Sequence, residues 1–111
     1  MTSDVRLTVP VARVLAAFLT DPGEPRYGLA LMSATGLASG SLYPILTRLS
    51  SAGWVEARWE EIDPVAAGRP ARRYYLLTPD GVERARGALA QLRAQTAPHA
   101  AGTPGSARPA W

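Results

Sequence analysis

The apolar residues of this chain keep a helical period up to Gly53, a period of two in two short stretches after it, and a helical period again from Thr78. In "TVPVARVLAAFLTDPGEP" the residues Val11, Val14, Leu15, Phe18 and Leu19 recur at i, i+3 and i+4, which places them on one face of an α-helix. Thr8 is positioned to cap that helix, Pro10 sits in a first turn whose amides have no helical partner, and Pro22-Gly23 ends it. Ala12, Ala16 and Ala17 leave Arg13 as its only charge, which predicts contacts on more than one side. "GEPR" reads as a turn followed by at most a short strand. "YGLALMSATG" then reads as a shorter second helix, with Tyr27, Leu31 and Ala34 on one side and Gly36 as its stop signal. A third helix begins within Ser39 to Ser41, runs to about Ala52 and stops at Gly53. Little more than "GLA" separates the second and third helices, so the pair is a helix-turn-helix candidate.

After Gly53, in "WVEARWEE", Val55, Ala57 and Trp59 alternate with Glu56, Arg58 and Glu60, the signature of a strand with one buried face. "EIDPVAAGRPA" reads as a loop and "RRYYLL" as a returning strand with Tyr75 and Leu77 inward, so the two strands form a β-hairpin with a long tip. "TPDG" opens the last helix, with Thr78 as cap, Pro79 at its first position and Asp80 facing the positive end of the helix dipole. Val82, Ala85, Leu89, Leu92 and Thr96 keep a 3-4-3-4 spacing until Pro98 ends the helix. The reading is a mainly α chain with a small β-hairpin (α+β): a DNA-binding winged helix-turn-helix over 1–78, a dimerisation helix over 79–97, and a disordered tail over 98–111, rich in Ala, Gly and Pro.

The third helix, "SGSLYPILTRLSSAGW", has two unlike faces. At about 100° per residue, Leu42, Ile45, Leu46, Leu49 and Ala52 share one side. Gly40, Pro44, Thr47 and Ser51 lie opposite, flanked by Tyr43 and Arg48. The first set is core. The second is small and hydrogen-bonding, with one phenol and one guanidinium, which suits a helix that enters a groove about 12 Å wide and bonds phosphates and base edges. The alternative is an ordinary solvated face, which would carry more charge than these residues supply. Pro44 is expected in or just after the first turn, where no amide bond is lost. A helix-turn-helix followed by a hairpin with Arg69, Arg72 and Arg73 reads as a winged helix, with the third helix in the major groove and Arg69, beside the turn Gly68-Arg69-Pro70, in or over the minor groove. Tyr43 is expected at phosphate, and Arg48 at phosphate or a base edge.

Composition supports this reading without carrying it. The 111 residues are 47% apolar with a formal charge of +3, and the basic residues are all arginine, whose planar fork holds phosphate bidentately. There is no cysteine and a single histidine, His99, so disulfides, thiol redox sensing and His/Cys metal sites are not expected, and no cofactor is called for. No nucleophile and base pair can be assembled, so an enzyme is not expected. No apolar run reaches the roughly 18 residues of a membrane span, and "MTSDVRLTVP" lacks the order of a signal peptide, which predicts a cytoplasmic protein without a membrane partner.

The segments "RYGLALM", "GSLYPILTRLSSAGWVEARWEE" and "GRPARRYYLLTPDG", in this order over 26–81, resemble the PadR family of bacterial transcriptional regulators. The resemblance implies a winged-helix dimer, usually a repressor, bound to double-stranded DNA and nucleoid-associated when bound. By position, Ser39, Ser41, Tyr43, Pro44, Thr47 and Arg48 would be its DNA-facing helix residues, and Arg69 and Arg72 those of the wing. It also implies that any small-molecule inducer would lie in the cleft between the subunits. The segment between the second and third helices is shorter than in many members, and the last helix has no tryptophan, so the aromatic ligand-stacking site of some members is not carried over.

The spacing of Val82, Ala85, Leu89 and Leu92 predicts an a/d-like seam on the last helix, opposite Glu83, Arg84, Arg86, Gln91 and Arg93. Such a stripe packs either on its own domain or on a second copy. The homodimer is the expectation, because two inverted half-sites would give one short recognition helix enough specificity. The competing function is a winged-helix module that binds protein and has only incidental DNA affinity.

Overall fold

The computed structural model describes residues 5–96; the tail expected over 98–111 lies outside the described residues. The elements run α1 (Val9–Leu19), β1 (Arg26–Tyr27), α2 (Gly28–Thr35), α3 (Ser39–Ser51), β2 (Val55–Trp59), α4 (Pro64–Ala67), β3 (Arg73–Leu77) and α5 (Pro79–Thr96). The sequence-predicted helices are all present, and the expected long loop at the hairpin tip contains one further helical turn, α4. Asp63 caps that turn, its Oδ1 accepting the Val65 amide at 3.0 Å.

One core joins the helices to the sheet. Val11, Val14, Leu15 and Phe18 of α1, Leu31 of α2, and Leu42, Ile45, Leu46 and Leu49 of α3 are buried together with Trp54, Val55, Tyr75, Leu77 and Ala85. Burying each large side chain of this set contributes about 1.5–3 kcal/mol relative to leaving it in water. Thr8 caps α1 as its chemistry suggests, with Oγ1 accepting from the Val11 amide at 3.3 Å. α2 and α3 meet at 112° across Gly36, Leu37 and Ala38, within the range of a helix-turn-helix. Gly36 makes the turn in the left-handed region, at φ 75°. Buried Thr35 braces it, donating to the Leu31 carbonyl at 2.7 Å and accepting the Leu37 amide at 3.2 Å.

The sheet has three antiparallel strands in the order β1-β3-β2. The short strand after the first turn therefore adds to the hairpin, pairing Arg26 with Tyr75 and Tyr27 with Tyr74. In the hairpin itself Val55 faces Leu77, Ala57 faces Tyr75 and Trp59 faces Arg73. Two inward assignments change. Trp59 is 58% exposed, because the strand runs out beyond the cover of α3, and Ala34 is exposed while Thr35 takes the buried position on α2.

Thr78 joins sheet to last helix. Its amide donates to the Trp54 carbonyl at 3.0 Å, its hydroxyl donates to the Gly53 carbonyl at 2.7 Å, and the same oxygen accepts the Gly81 amide at 2.9 Å. The backbone of α5 consequently lies against that of β2. Ala85, expected in a subunit seam, is instead fully buried inside its own domain, and Val82 and Leu89 pack partly onto the same core. The apolar stripe of α5 is thus divided: its first turns cover the winged helix, and further along Leu92 lines a surface groove with Val9, Ala12 and Ala16 of α1. Among the described residues no single helix is long and apolar enough to cross a membrane.

Candidate nucleic-acid interface

α3 presents the two faces read from its sequence. Leu42, Ile45, Leu46 and Leu49 point into the core, while Ser39, Gly40, Ser41, Tyr43, Pro44, Thr47 and Arg48 are exposed. No acidic residue occurs between Glu24 and Glu56, so this face and its surroundings carry no carboxylate of their own to repel a polyanion. Arg48 has no ion-pair partner among the described residues, where the paired arginines are Arg58, Arg69 and Arg84. The Thr47 hydroxyl donates to the Tyr43 carbonyl at 3.0 Å, which occupies its proton and leaves its oxygen lone pairs facing outward as acceptors.

Pro44 stands in the second turn of α3, where, unlike the expectation, it costs a helical bond. The amide of Leu42 already pairs with the Ala38 carbonyl at 2.9 Å, so Pro44 lies past the unpaired first turn and removes the bond that the Gly40 carbonyl would otherwise receive. Both residues are on the exposed face, where water or an incoming donor satisfies that carbonyl. Tyr43, 39% exposed, leans back over Gly28 at the start of α2. A Cβ at Gly28 would overlap the Tyr43 hydroxyl, so the glycine is what lets the phenol settle there. This placement could not be read from the α3 periodicity.

The wing is organised by a carboxylate that sequence reasoning passed over. Glu60, at the end of β2, accepts the Arg69 guanidinium on both oxygens, at 2.6 and 3.2 Å. It also accepts the Tyr27 hydroxyl at 2.7 Å and the Arg72 amide at 2.9 Å. One side chain therefore ties β1, the tip and the returning strand together. The Arg69 guanidinium, followed by the Tyr27 hydrogen bond, holds the Glu60 carboxyl well below its ordinary value of 4.5, at about 2. The Tyr27 phenol is raised by the same hydrogen bond. Arg69, expected in or over the minor groove, is engaged within the wing, and Arg72 lies with its guanidinium 5.4 Å from the centroid of the Tyr27 ring. The tip beyond Arg69 carries Glu61, Asp63 and Val65, the last 89% exposed.

The sign of the resulting pH dependence follows from the lowered carboxyl. Ionised Glu60 contributes stability above pH 4.5, and that contribution is lost as pH falls from 4.5 toward 2. Glu60→Gln keeps the shape and removes the charge. Its melting temperature should depend less on pH below 4.5 than that of the wild type, and amides of residues 61–71 should exchange faster at neutral pH. Identical melting curves and exchange rates would show that the network does not hold the wing.

The residues expected to meet DNA thus fall into two groups. Ser39, Ser41, Tyr43, Pro44, Thr47 and Arg48 share one exposed face of α3, whereas Arg69 is tied to Glu60 within the wing and Arg72, exposed, lies over the Tyr27 ring. Of the residues expected in a subunit seam, Leu89 and Leu92 line the groove between α1 and α5.

Comparison with known proteins agrees with this architecture. A PadR family regulator from Eggerthella lenta DSM 2243 is 26% identical, with a TM-score of 0.60 over 74% of this chain and 72% of its own. The reduced AbfR bound to DNA is 22% identical, with a TM-score of 0.64 over 84% of this chain and 61% of its own; AbfR is a protein of Staphylococcus epidermidis. A disulfide-formed AbfR is likewise 22% identical, with a TM-score of 0.65, and this chain spans 62% of its length against 84% of this chain covered. The disulfide of that protein has no counterpart in these cysteine-free 111 residues. No curated protein matches the chain. The family described as "Transcriptional regulator PadR-like family" matches residues 17–87, from the last residues of α1 through the first half of α5. With the helix-turn-helix, the three-stranded wing and the C-terminal helix all in place, the chain belongs to the PadR-like family of transcriptional regulators.

Proposed function

We propose that this protein is a sequence-specific DNA-binding repressor that acts in the cytoplasm as a homodimer on an inverted-repeat operator, with α3 in the major groove. The observation that carries the reading is the exposed face of α3: small and hydrogen-bonding, with an Arg48 that has no ion-pair partner among the described residues and no carboxylate on the helix. A helix that merely faced solvent would be expected to carry mixed charges. AbfR, a neighbour of the same fold, is bound to DNA in one of its structures, which supports DNA as the ligand.

Selection of bound fragments from genomic DNA, followed by anisotropy titrations on the recovered site, tests the reading. Binding should weaken steeply with salt, because neutralised phosphates release counterions. Arg48→Ala should leave folding intact and weaken binding. If Arg48 contacts phosphate, affinity drops on all sequences alike and the salt slope falls by about 1; if it holds a base edge bidentately, discrimination at one position drops by about 1–3 kcal/mol. Tyr43→Phe should lose a phosphate bond without changing the helix. Unchanged affinity in both variants would remove α3 from the interface.

The dimer is proposed to form through the C-terminal half of α5 with α1 alongside. Val9, Ala12 and Ala16 of α1 and Leu89 and Leu92 of α5 line one apolar groove on the protomer surface. A second copy of the chain would cover it and set the spacing of two α3 helices. A small-molecule inducer, where one acts, would bind in the cleft between the subunits and change that spacing.

A further inference from the structure

Arg73 lies outside the Glu60 network. It is the cross-strand partner of Trp59, and its guanidinium carbon stands 5.2 Å from the centroid of the indole ring. The two-residue period puts Val55, Ala57 and Trp59 on one face of the sheet, opposite Leu77, Tyr75 and Arg73. Val55, Tyr75 and Leu77 are in the core beneath the helices, and the Trp59–Arg73 rung is exposed. There Arg73 borders two clefts, one shared with Thr47, Ser50 and Ser51 of α3, the other with Tyr43, Leu29 and Tyr27. It therefore stands in the notch between the exposed face of α3 and the wing. Among the described residues it has no carboxylate partner.

We infer that Arg73 is the wing's phosphate ligand, taking the DNA backbone that runs between α3 and the wing, and that Trp59 is the positioning residue that holds its guanidinium there. The Arg73 guanidinium also hydrogen-bonds the Tyr75 hydroxyl; stacked on the indole it loses rotamer freedom before binding while its remaining N–H donors can meet a phosphate, so less entropy is lost when one is bound. The stacking also accounts for a large tryptophan left 58% exposed at the end of a strand whose other inward residues, Val55 and Ala57, are buried and half-buried. The tip is less suited to the task, since Arg69 is tied to Glu60 and its neighbours Glu61 and Asp63 are anionic.

This inference rests on the DNA-binding reading above, and a salt titration separates the two. The probe is a fluorescein-labelled, mixed-sequence DNA duplex longer than two helical turns. Arg73→Ala should reduce the slope of log K against log salt by about 0.9, the value of one phosphate contact. Trp59→Ala carries no charge change, yet it should reduce the slope in the same direction, and Trp59→Phe should restore most of it. The double variant should bind no more weakly than Arg73→Ala, because the two residues act as one unit. Melting temperatures close to that of the wild type should accompany all four variants, since both side chains are exposed. An unchanged slope in Arg73→Ala, or losses that add in the double variant, would overturn the inference while leaving DNA binding in place. Salt-independent binding by the wild type would remove the DNA reading and the inference with it.

Discussion

Gly81→Ala is expected to separate α5 from the sheet and lower stability by at least about 3 kcal/mol, more than the usual cost of overpacking. A Cβ at this position would overlap the carbonyl oxygen, carbonyl carbon and Cα of Trp54, all backbone atoms of the residue that leads into β2. A flexible side chain would turn aside; this backbone cannot do so without breaking the bonds that Thr78 makes to Gly53 and Trp54. For a domain of this size, a loss of that order lowers the melting temperature by roughly 12 °C or more. Gly87, six residues along the same helix, is the control. Nothing stands within 4 Å of its missing Cβ, so Gly87→Ala should raise stability by about 0.5–1 kcal/mol through helix propensity. Thermal unfolding of both variants decides the matter, and a Gly81→Ala protein as stable as the wild type would show that α5 is not seated on β2 as described.

Leu92→Glu is expected to yield monomers at micromolar concentration and to lower operator affinity by a factor of 10² to 10⁴, about the advantage that linking two half-site contacts confers. Leu92 is chosen over Leu89 because Leu89 also packs on its own core, so that its loss would mix folding with association. Leu92 borders the grooves on both flanks of α5, against Val9, Ala12 and Ala16 on one side and Leu7, Trp54 and Ala88 on the other. In a two-fold dimer through this face, the substitution brings two like charges into an apolar contact. Sedimentation should show the change in mass, and circular dichroism should show the helices retained. A wild type that sediments as a monomer, or a Leu92→Glu variant that keeps both dimer mass and full operator affinity, would remove the dimer proposal together with the inverted-repeat operator.

These two experiments address opposite ends of the stripe that the sequence presents as continuous. Periodicity identifies Val82, Ala85, Leu89 and Leu92 as one apolar face, but a period records only which residues share a side. It does not say whether the cover is the same chain or another. Thr78 and Gly81 decide this for the first turns of α5, since the Thr78 hydrogen bonds and the absence of a side chain at Gly81 bring helix and strand backbones together and bury Ala85. The wing shows the same limit with charges. Arg69 and Arg72 were legible as basic residues near a turn, but Glu60, the residue that engages Arg69, is nine positions away and reads as one more polar member of an alternating strand.

What the sequence determined by itself is what local chemistry determines. The Thr8 and Thr78 caps, the Gly36 turn, the switch from helical to alternating period at Gly53 and the split between the Leu42–Leu49 face of α3 and its small polar face all follow from residues within a few positions of one another. The order of those elements already pointed to a winged helix. What only the tertiary structure decided is which exposed groups remain available for a partner. Arg69 pairs with Glu60, Tyr43 settles over Gly28, and Arg73 stacks on Trp59 in the notch beside α3. Each of these pairings joins residues from different elements, set by strand register and helix placement, and no periodicity along one element contains that information.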